Sequence, residues 1–297
     1  MPVKNFLNPD KYLPILNGLI GDKLASKSDS WAIPMSFRMD GKDVAVAELP
    51  KALKGRAVLV FIHGLMADET IWKPLRKIEK DISVLYVRYN TGLHISQNGQ
   101  ALAQLVDSFF ARLSPRKIYL VGHSMGGLVT RSACYYAQKA AYPWVKKVSA
   151  IFLIAVPNAG APLEKLGSLT TAALKRIAVW HLGKVGDLLN QRSDGIKDLR
   201  LGAMLEQDWN HPKMQLNHRR APVPPLMHIS YFILIGSLSA DESSLMSKYF
   251  GDGLVTQRSA VGETLLKTAT IQVFPKTGHN SILSHPDVLK YIRNAIS

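Results

Sequence analysis

Short, nearly continuous hydrophobic runs recur along the chain, with longer helix-periodic stretches between them. Six stand out: 56–64 (RAVLVFIHG), 82–90 (ISVLYVRYN), 117–123 (KIYLVGH), 148–157 (VSAIFLIAVP), 229–237 (ISYFILIGS) and 270–275 (TIQVFP). They are rich in Val and Ile and do not alternate with polar residues, which is how strands covered on both faces of a parallel sheet read. Residues 99–113 place Leu102, Leu105, Val106, Phe109 and Leu113 on one helical stripe, and the segment after Ser124 reads as helix to about Ala141. The C-terminal SHPDVLKYIRNAI predicts a last helix, with Ser284 as N-cap, Asp287 three residues on and Pro286 in the first turn. Repeated strand–helix–strand order predicts an α/β fold with a mostly parallel central sheet flanked by helices.

Two stretches break this rhythm. From about 160 to 227 the chain is helical in pattern (TTAALKRIAVWHLGKV) and then proline-rich (RRAPVPPLMH). That is too long for a simple crossover, so 160–227 reads as a helical cap inserted into a core formed by 56–159 and 228–297. Residues 1–55 read as a helical and irregular segment packing on that core. Within it Leu13, Leu16, Ile20 and Leu24 recur at helical spacing, while Pro14, Asn17, Gly18 and Asp22 interrupt any signal-peptide-like run. Two readings stay open for this segment: a helix packed on the domain, or an amphipathic membrane-touching helix near Lys4, Lys11 and Lys23.

Composition narrows the function classes. With 297 residues, 47% of them hydrophobic, the chain can bury a sizeable core. The net charge of +15 suits contact with an anionic surface, yet the basic residues are scattered, and no zinc-finger spacing or aromatic–basic motif appears. Nucleic-acid binding is therefore not expected, and peripheral contact with an anionic membrane is left open. One cysteine, Cys134, forms no internal disulfide, and no run reaches the length of a membrane-spanning helix. The expectation is a cytoplasmic protein, with peripheral membrane attachment left open.

The chemistry gathers around VGHSMGG. Gly122, Ser124 and Gly126 form G-x-S-x-G between an apolar strand and a helix pattern, the context of a nucleophile elbow. Small residues on either side let strand and helix approach, and the helix N-terminus favours negative charge developing near the serine oxygen. A serine needs a base, and the base an orienting acid, in the chain order Ser, acid, His. His279, in a loop between the last strand and last helix, is the base candidate. Its rival His285 falls where helix capping is the ordinary explanation. Asp252, in a D-G-L-V turn, is the favoured acid, with Asp241 as competitor. Oxyanion donors are expected from the backbone N–H of Met125, directly after the serine, and of Leu65 in the loop after the first strong strand, with Met66 as fallback. His63 and His123 read as braces for these loops.

FIHGLM, VGHSMGG, VPNAGAPL, GDGLV and TGHNSIL stand in the order found in α/β-hydrolase lipases and esterases. The chain resembles bacterial lipase-like hydrolases and the group resembling the GPI-inositol deacylase, over residues 60 to 285. The resemblance implies the α/β-hydrolase fold, with Ser124 as nucleophile, Asp252 as acid, His279 as base, and 157–163 as a loop leading from the active site into the cap. Ala159 stands where such lipases often carry a basic or aromatic residue. The implied activity is cleavage of a small-molecule or lipid carboxylic ester with an apolar acyl or alcohol group. An acyltransferase or a non-catalytic binding protein on the same fold are the alternatives. No metal or organic cofactor is implied.

Overall fold

A computed structural model describes residues 12–75, 82–162, 192–210, 220–239, 265 and 268–296. All six hydrophobic runs are strands: β3 (Ala57–Ile62), β4 (Ile82–Arg88), β5 (Lys117–His123), β6 (Val148–Ile154), β7 (Ser230–Gly236) and β8 (Ala269–Phe274). Side chains leave a strand alternately to its two faces, so an unbroken apolar run supplies both layers of core. In β3, Val58, Val60 and Ile62 pack with α2 (Ile95–Leu113) and α3 (Met125–Lys139), through Leu102, Val106, Leu128 and Val129. Leu59 and Phe61 face the other way, toward Trp72, Leu75 and the C-terminal α5 (Pro286–Ile296) through Val288 and Ile292.

Two further strands lie in the N-terminal segment, which the sequence pattern assigns to helix and irregular chain. β1 (Ser36–Met39) and β2 (Lys42–Val44) extend the sheet to the order β2-β1-β4-β3-β5-β6-β7-β8. β1 pairs antiparallel with β2 and β4, and the other neighbours pair parallel. From β3 the chain goes first to β4 on one side and later to β5 on the other. The order therefore reverses at β3, and the crevice beyond the carboxyl ends of β3 and β5 is where such sheets bind ligands.

The residues that interrupt the N-terminal apolar spacing are its docking points. In α1 (Leu13–Ser26), Asn17 Nδ2 donates to the carbonyls of Trp31 (2.7 Å) and Leu13 (3.0 Å), while its Oδ1 accepts from Ile33 N–H. The Gly18 carbonyl accepts from Ser193 Oγ (2.7 Å) and the Gly21 carbonyl from Asn90 Nδ2 (2.8 Å). With Ile15, Leu16 and Leu19 buried, α1 is a packed helix. The stretch read as the cap lies largely outside the described residues. Within it α4 (Asp194–Leu201) is tied back to the core, where Asp198 Oδ2 accepts from His94 Nδ1 and Ile95 N–H, both at 2.9 Å.

Candidate active site

Ser124 joins β5 to α3 with φ 53° and ψ −127°, a backbone conformation that L-residues rarely adopt. The strain persists because the surroundings over-determine it. Ser124 N–H donates to the Ile154 carbonyl at the end of β6 (2.9 Å), and Gly127 N–H to the Ser124 carbonyl (3.0 Å). The glycines provide clearance for this turn. A Cβ on Gly126 would lie 2.2 Å from the Ile62 carbonyl oxygen, and one on Gly122 2.5 Å from Gly127 Cα. Both are backbone clashes that no rotamer relieves. Strand and helix thus meet at near backbone contact, and Ser124, largely buried, stands at the helix N-terminus.

The loop after β3 closes against it. Ala67 N–H donates to the Gly64 carbonyl (3.3 Å), closing a turn with Leu65 and Met66 at its corners, and Met66 has φ 57°. A Cβ on Gly64 would sit 2.9 Å from Ser124 Cβ, so this turn leans directly on the serine. The amide of Met66 donates to Thr91 Oγ1 (3.2 Å), which occupies the fallback oxyanion donor. The amides of Leu65 and Met125 have no hydrogen-bond partner among the described residues.

Two histidines brace these loops. His63 is fully buried, and its Nδ1 donates to the Gly64 carbonyl (2.9 Å). Its ring stacks on Tyr89 with centroids 4.5 Å apart, and the Tyr89 hydroxyl donates to the His63 carbonyl (2.7 Å). Burial pushes the His63 pKa down to about 4, so the ring is neutral at pH 7. His123 Nε2 donates to the carbonyl of His279 (3.0 Å), with the two rings 4.9 Å apart. The loop carrying His279 is further held by Thr277 N–H to the Ser237 carbonyl (2.7 Å) and by Gly278 N–H to Ser281 Oγ (2.8 Å). His279 therefore lies against the residue directly preceding Ser124, at the carboxyl end of the sheet.

His285, the rival base, lies at the start of α5. Its Nδ1 accepts from Asp287 N–H (3.3 Å), so His285 caps α5 where the sequence pattern points to Ser284. Ser284 instead ends a 3₁₀ turn (Ser281–Ser284), because Pro286 displaces the helix start by one residue. The acid candidates Asp252 and Asp241 both lie outside the described residues. No group of three or more His, Cys, Asp and Glu among the described residues could hold a metal ion. A cleft of about 300 Å³ lined by Tyr135, Tyr136, Lys139, Leu205 and Glu206 lies along the far half of α3, away from Ser124.

Sequence reasoning missed two supports of the site. Glu69, buried in the 3₁₀ segment after the Leu65 turn, accepts from Arg88 through both oxygens (2.8 and 2.9 Å) and from Arg38 Nε (3.1 Å). This pins the loop to β1 and β4. Arg131, buried in α3, donates to Asn158 Oδ1 and to the Val223 carbonyl, each at 2.8 Å. Arg220 Nη1 donates to the Asn158 carbonyl (3.0 Å), so the residue just before the long insertion and the last part of that insertion meet at the helix that starts beside Ser124. Burial pushes the Arg131 pKa down to about 10. Its one visible sign in the sequence is a cation in the middle of the helix that follows the serine motif.

The family model described as "Alpha/beta hydrolase family" matches residues 59–290, and the chain belongs to that family. No curated protein matches the chain. Among solved structures it is similar to the mature form of the lipase BlEst2 from Bacillus licheniformis, at 22% identity and TM-score 0.52, covering 88% of this chain and 98% of that one. ClbQ from the colibactin NRPS/PKS pathway aligns at 16% identity and TM-score 0.51, over 81% of this chain and 97% of that one. A marine microorganism esterase aligns at 12% identity and TM-score 0.51, over 88% and 99%. At these identities the likeness is one of fold.

Proposed function

We propose that this member of the α/β-hydrolase family is a serine hydrolase of carboxylic esters. The observation that carries the reading is the strained Ser124, flanked by the amides of Leu65 and Met125, which have no partner among the described residues. In this mechanism Ser124 Oγ attacks the ester carbonyl while His279 takes its proton. Asp252 orients the imidazole and stabilises it when charged. The Leu65 and Met125 N–H groups hold the oxyanion, a contribution of about 3 to 4 kcal/mol for each donor. His279 then protonates the leaving alcohol, and water resolves the acyl-enzyme by the same steps in reverse. The pinned His63–Glu69 loop supports the reading because oxyanion donors must be in place before charge develops. An apolar acyl or alcohol group is the proposed substrate feature.

The test is hydrolysis of p-nitrophenyl esters from acetyl to palmitoyl by wild type and Ser124→Ala, with labelling by a serine-directed fluorophosphonate. Turnover and labelling that both vanish in Ser124→Ala support the proposal. Labelling of Ser124 without turnover of these esters would point to a narrow substrate, a closed cap or an acyltransferase, and folded protein showing neither would replace the proposal with a binding role.

A further inference from the structure

We propose that the pole of the molecule opposite Ser124 is a docking face for an anionic phospholipid bilayer. Three neighbouring parallel strands, β3, β5 and β6, begin on this pole, with Ala57 paired to Lys117 and Ile118 to Val148. The segments leading into them are 51–56 (KALKGR), 112–117 (RLSPRK) and 139–147 (KAAYPWVKK). Together they carry nine Lys and Arg and no Asp or Glu, in a chain with 37 of the former and 22 of the latter. Lys51, Lys54, Arg112, Arg116, Lys117, Lys139, Lys146 and Lys147 are exposed, and Arg56 is half-buried.

The sheet holds these cations on one surface. Arg116 N–H donates to the Arg56 carbonyl (3.0 Å) and Gly55 N–H to the Leu113 carbonyl (3.1 Å), joining the first two segments. Neighbouring strands lie about 4.8 Å apart, so the three strand starts span about 10 Å, close to one screening length in physiological salt. Glu48, the nearest carboxylate in the sequence, is turned toward Ala45 N–H (3.2 Å). Among the described residues no carboxylate pairs with the eight exposed cations.

The character of the patch favours a bilayer over nucleic acid. Six of the nine cations are lysines, compact point charges on flexible stems that suit a diffuse anionic surface better than paired recognition of single phosphates. Its aromatic residues are turned inward, Trp144 buried and Tyr142 half-buried, so nothing offers bases a stacking platform. Met227, 72% exposed just before β7 on the same pole, adds an apolar side chain at headgroup level. Ser124 follows the other end of β5, whose 7 residues at about 3.3 Å each set it about 20 Å away. A docked molecule keeps its candidate active site toward water, so attachment and chemistry occupy separate faces.

The experiment is co-sedimentation of the full chain with phosphatidylcholine vesicles, with and without phosphatidylserine. The expected result is binding that requires phosphatidylserine and is lost in high salt. Replacing Lys54, Lys117, Lys146 and Lys147 by Gln should weaken it more than about a hundredfold, at about fivefold for each cation removed. A control with Lys27, Lys73, Lys276 and Lys290 replaced by Gln removes the same charge from exposed positions elsewhere, and should bind within about fivefold of wild type. Equal weakening in both variants would overturn the proposal, because net charge and not this face would then set binding. Failure of wild type to bind phosphatidylserine vesicles, or tighter binding to an RNA oligomer at the same salt, would overturn it as well.

Discussion

Replacing Ser124 by Gly should abolish any Ser124-dependent hydrolysis and make the protein more stable. Ser124 sits at φ 53° and ψ −127°. Holding a non-glycine residue in so sparsely populated a region costs about 1–3 kcal/mol. Glycine adopts this conformation without the Cβ penalty but loses about 0.5–1 kcal/mol more backbone entropy on folding. It also removes the Cβ against which the Gly64 turn packs, a site where an added Cβ would come within 2.9 Å. The balance is a gain of about 0.5–2 kcal/mol, or roughly 2–6 °C in Tm for a chain of this size. Ser124→Ala separates strain from chemistry, because it loses the hydroxyl and keeps the Cβ. Urea and thermal unfolding of wild type, Ser124→Ala and Ser124→Gly should therefore rank Gly as most stable, with an unchanged m-value. A glycine variant no more stable than the alanine variant would show that the elbow stores no strain, and the argument built on its dihedral angles would fail.

Three other outcomes follow from the residues around the site. Glu69→Ala leaves Arg88 with only the Asp68 carboxylate at 3.8 Å, while Arg38 keeps Asp43 at 2.9 Å, so unfolding in urea should show a loss of about 3 kcal/mol; a loss under about 1 kcal/mol would mean that the cluster is solvated. His63 has a folded-state pKa of about 4 against an ordinary 6.5, so the unfolded chain binds the extra proton as pH falls through that interval. Stability should drop by about 3 kcal/mol between pH 6.5 and 4, at about 1.4 kcal/mol per pH unit, and His63→Asn should lack this component when the two pH profiles are subtracted. Gly126→Ala drives a Cβ to 2.2 Å from the Ile62 carbonyl and 2.3 Å from that of His63, which should cost about 3 kcal/mol by thermal unfolding; a loss below about 0.5 kcal/mol would mean that strand and helix can separate.

What the amino-acid sequence determined by itself is whatever is written locally. The central strands β3, β5, β6 and β7 were legible because each is a nearly continuous apolar run, and burial on both faces demands such a run; β8, at the sheet edge, shows the same kind of run although only Phe274 in it is buried. The elbow was legible because its glycines lie within a few residues of Ser124 and exist for a local clearance. The base candidate followed from its place in a loop between the last strand and last helix, and the folded chain brings that loop against His123.

Only the tertiary structure decided features whose cause lies far along the chain. β1 and β2 are short, with exposed or half-exposed residues among a few buried ones, and β1 is ordered by pairing with β4. No local hydrophobic pattern marks such strands. Glu69 reads as a loop acid until Arg38 and Arg88 arrive from separate strands, and Arg131 as a stray cation until Asn158 and Val223 surround it. His94 meets Asp198 across 104 residues of sequence. The basic pole is likewise three unremarkable segments until parallel pairing sets their strand starts side by side. A sequence records periodicity and turn chemistry over a few residues, whereas charge pairing and surface potential depend on distances that folding alone creates.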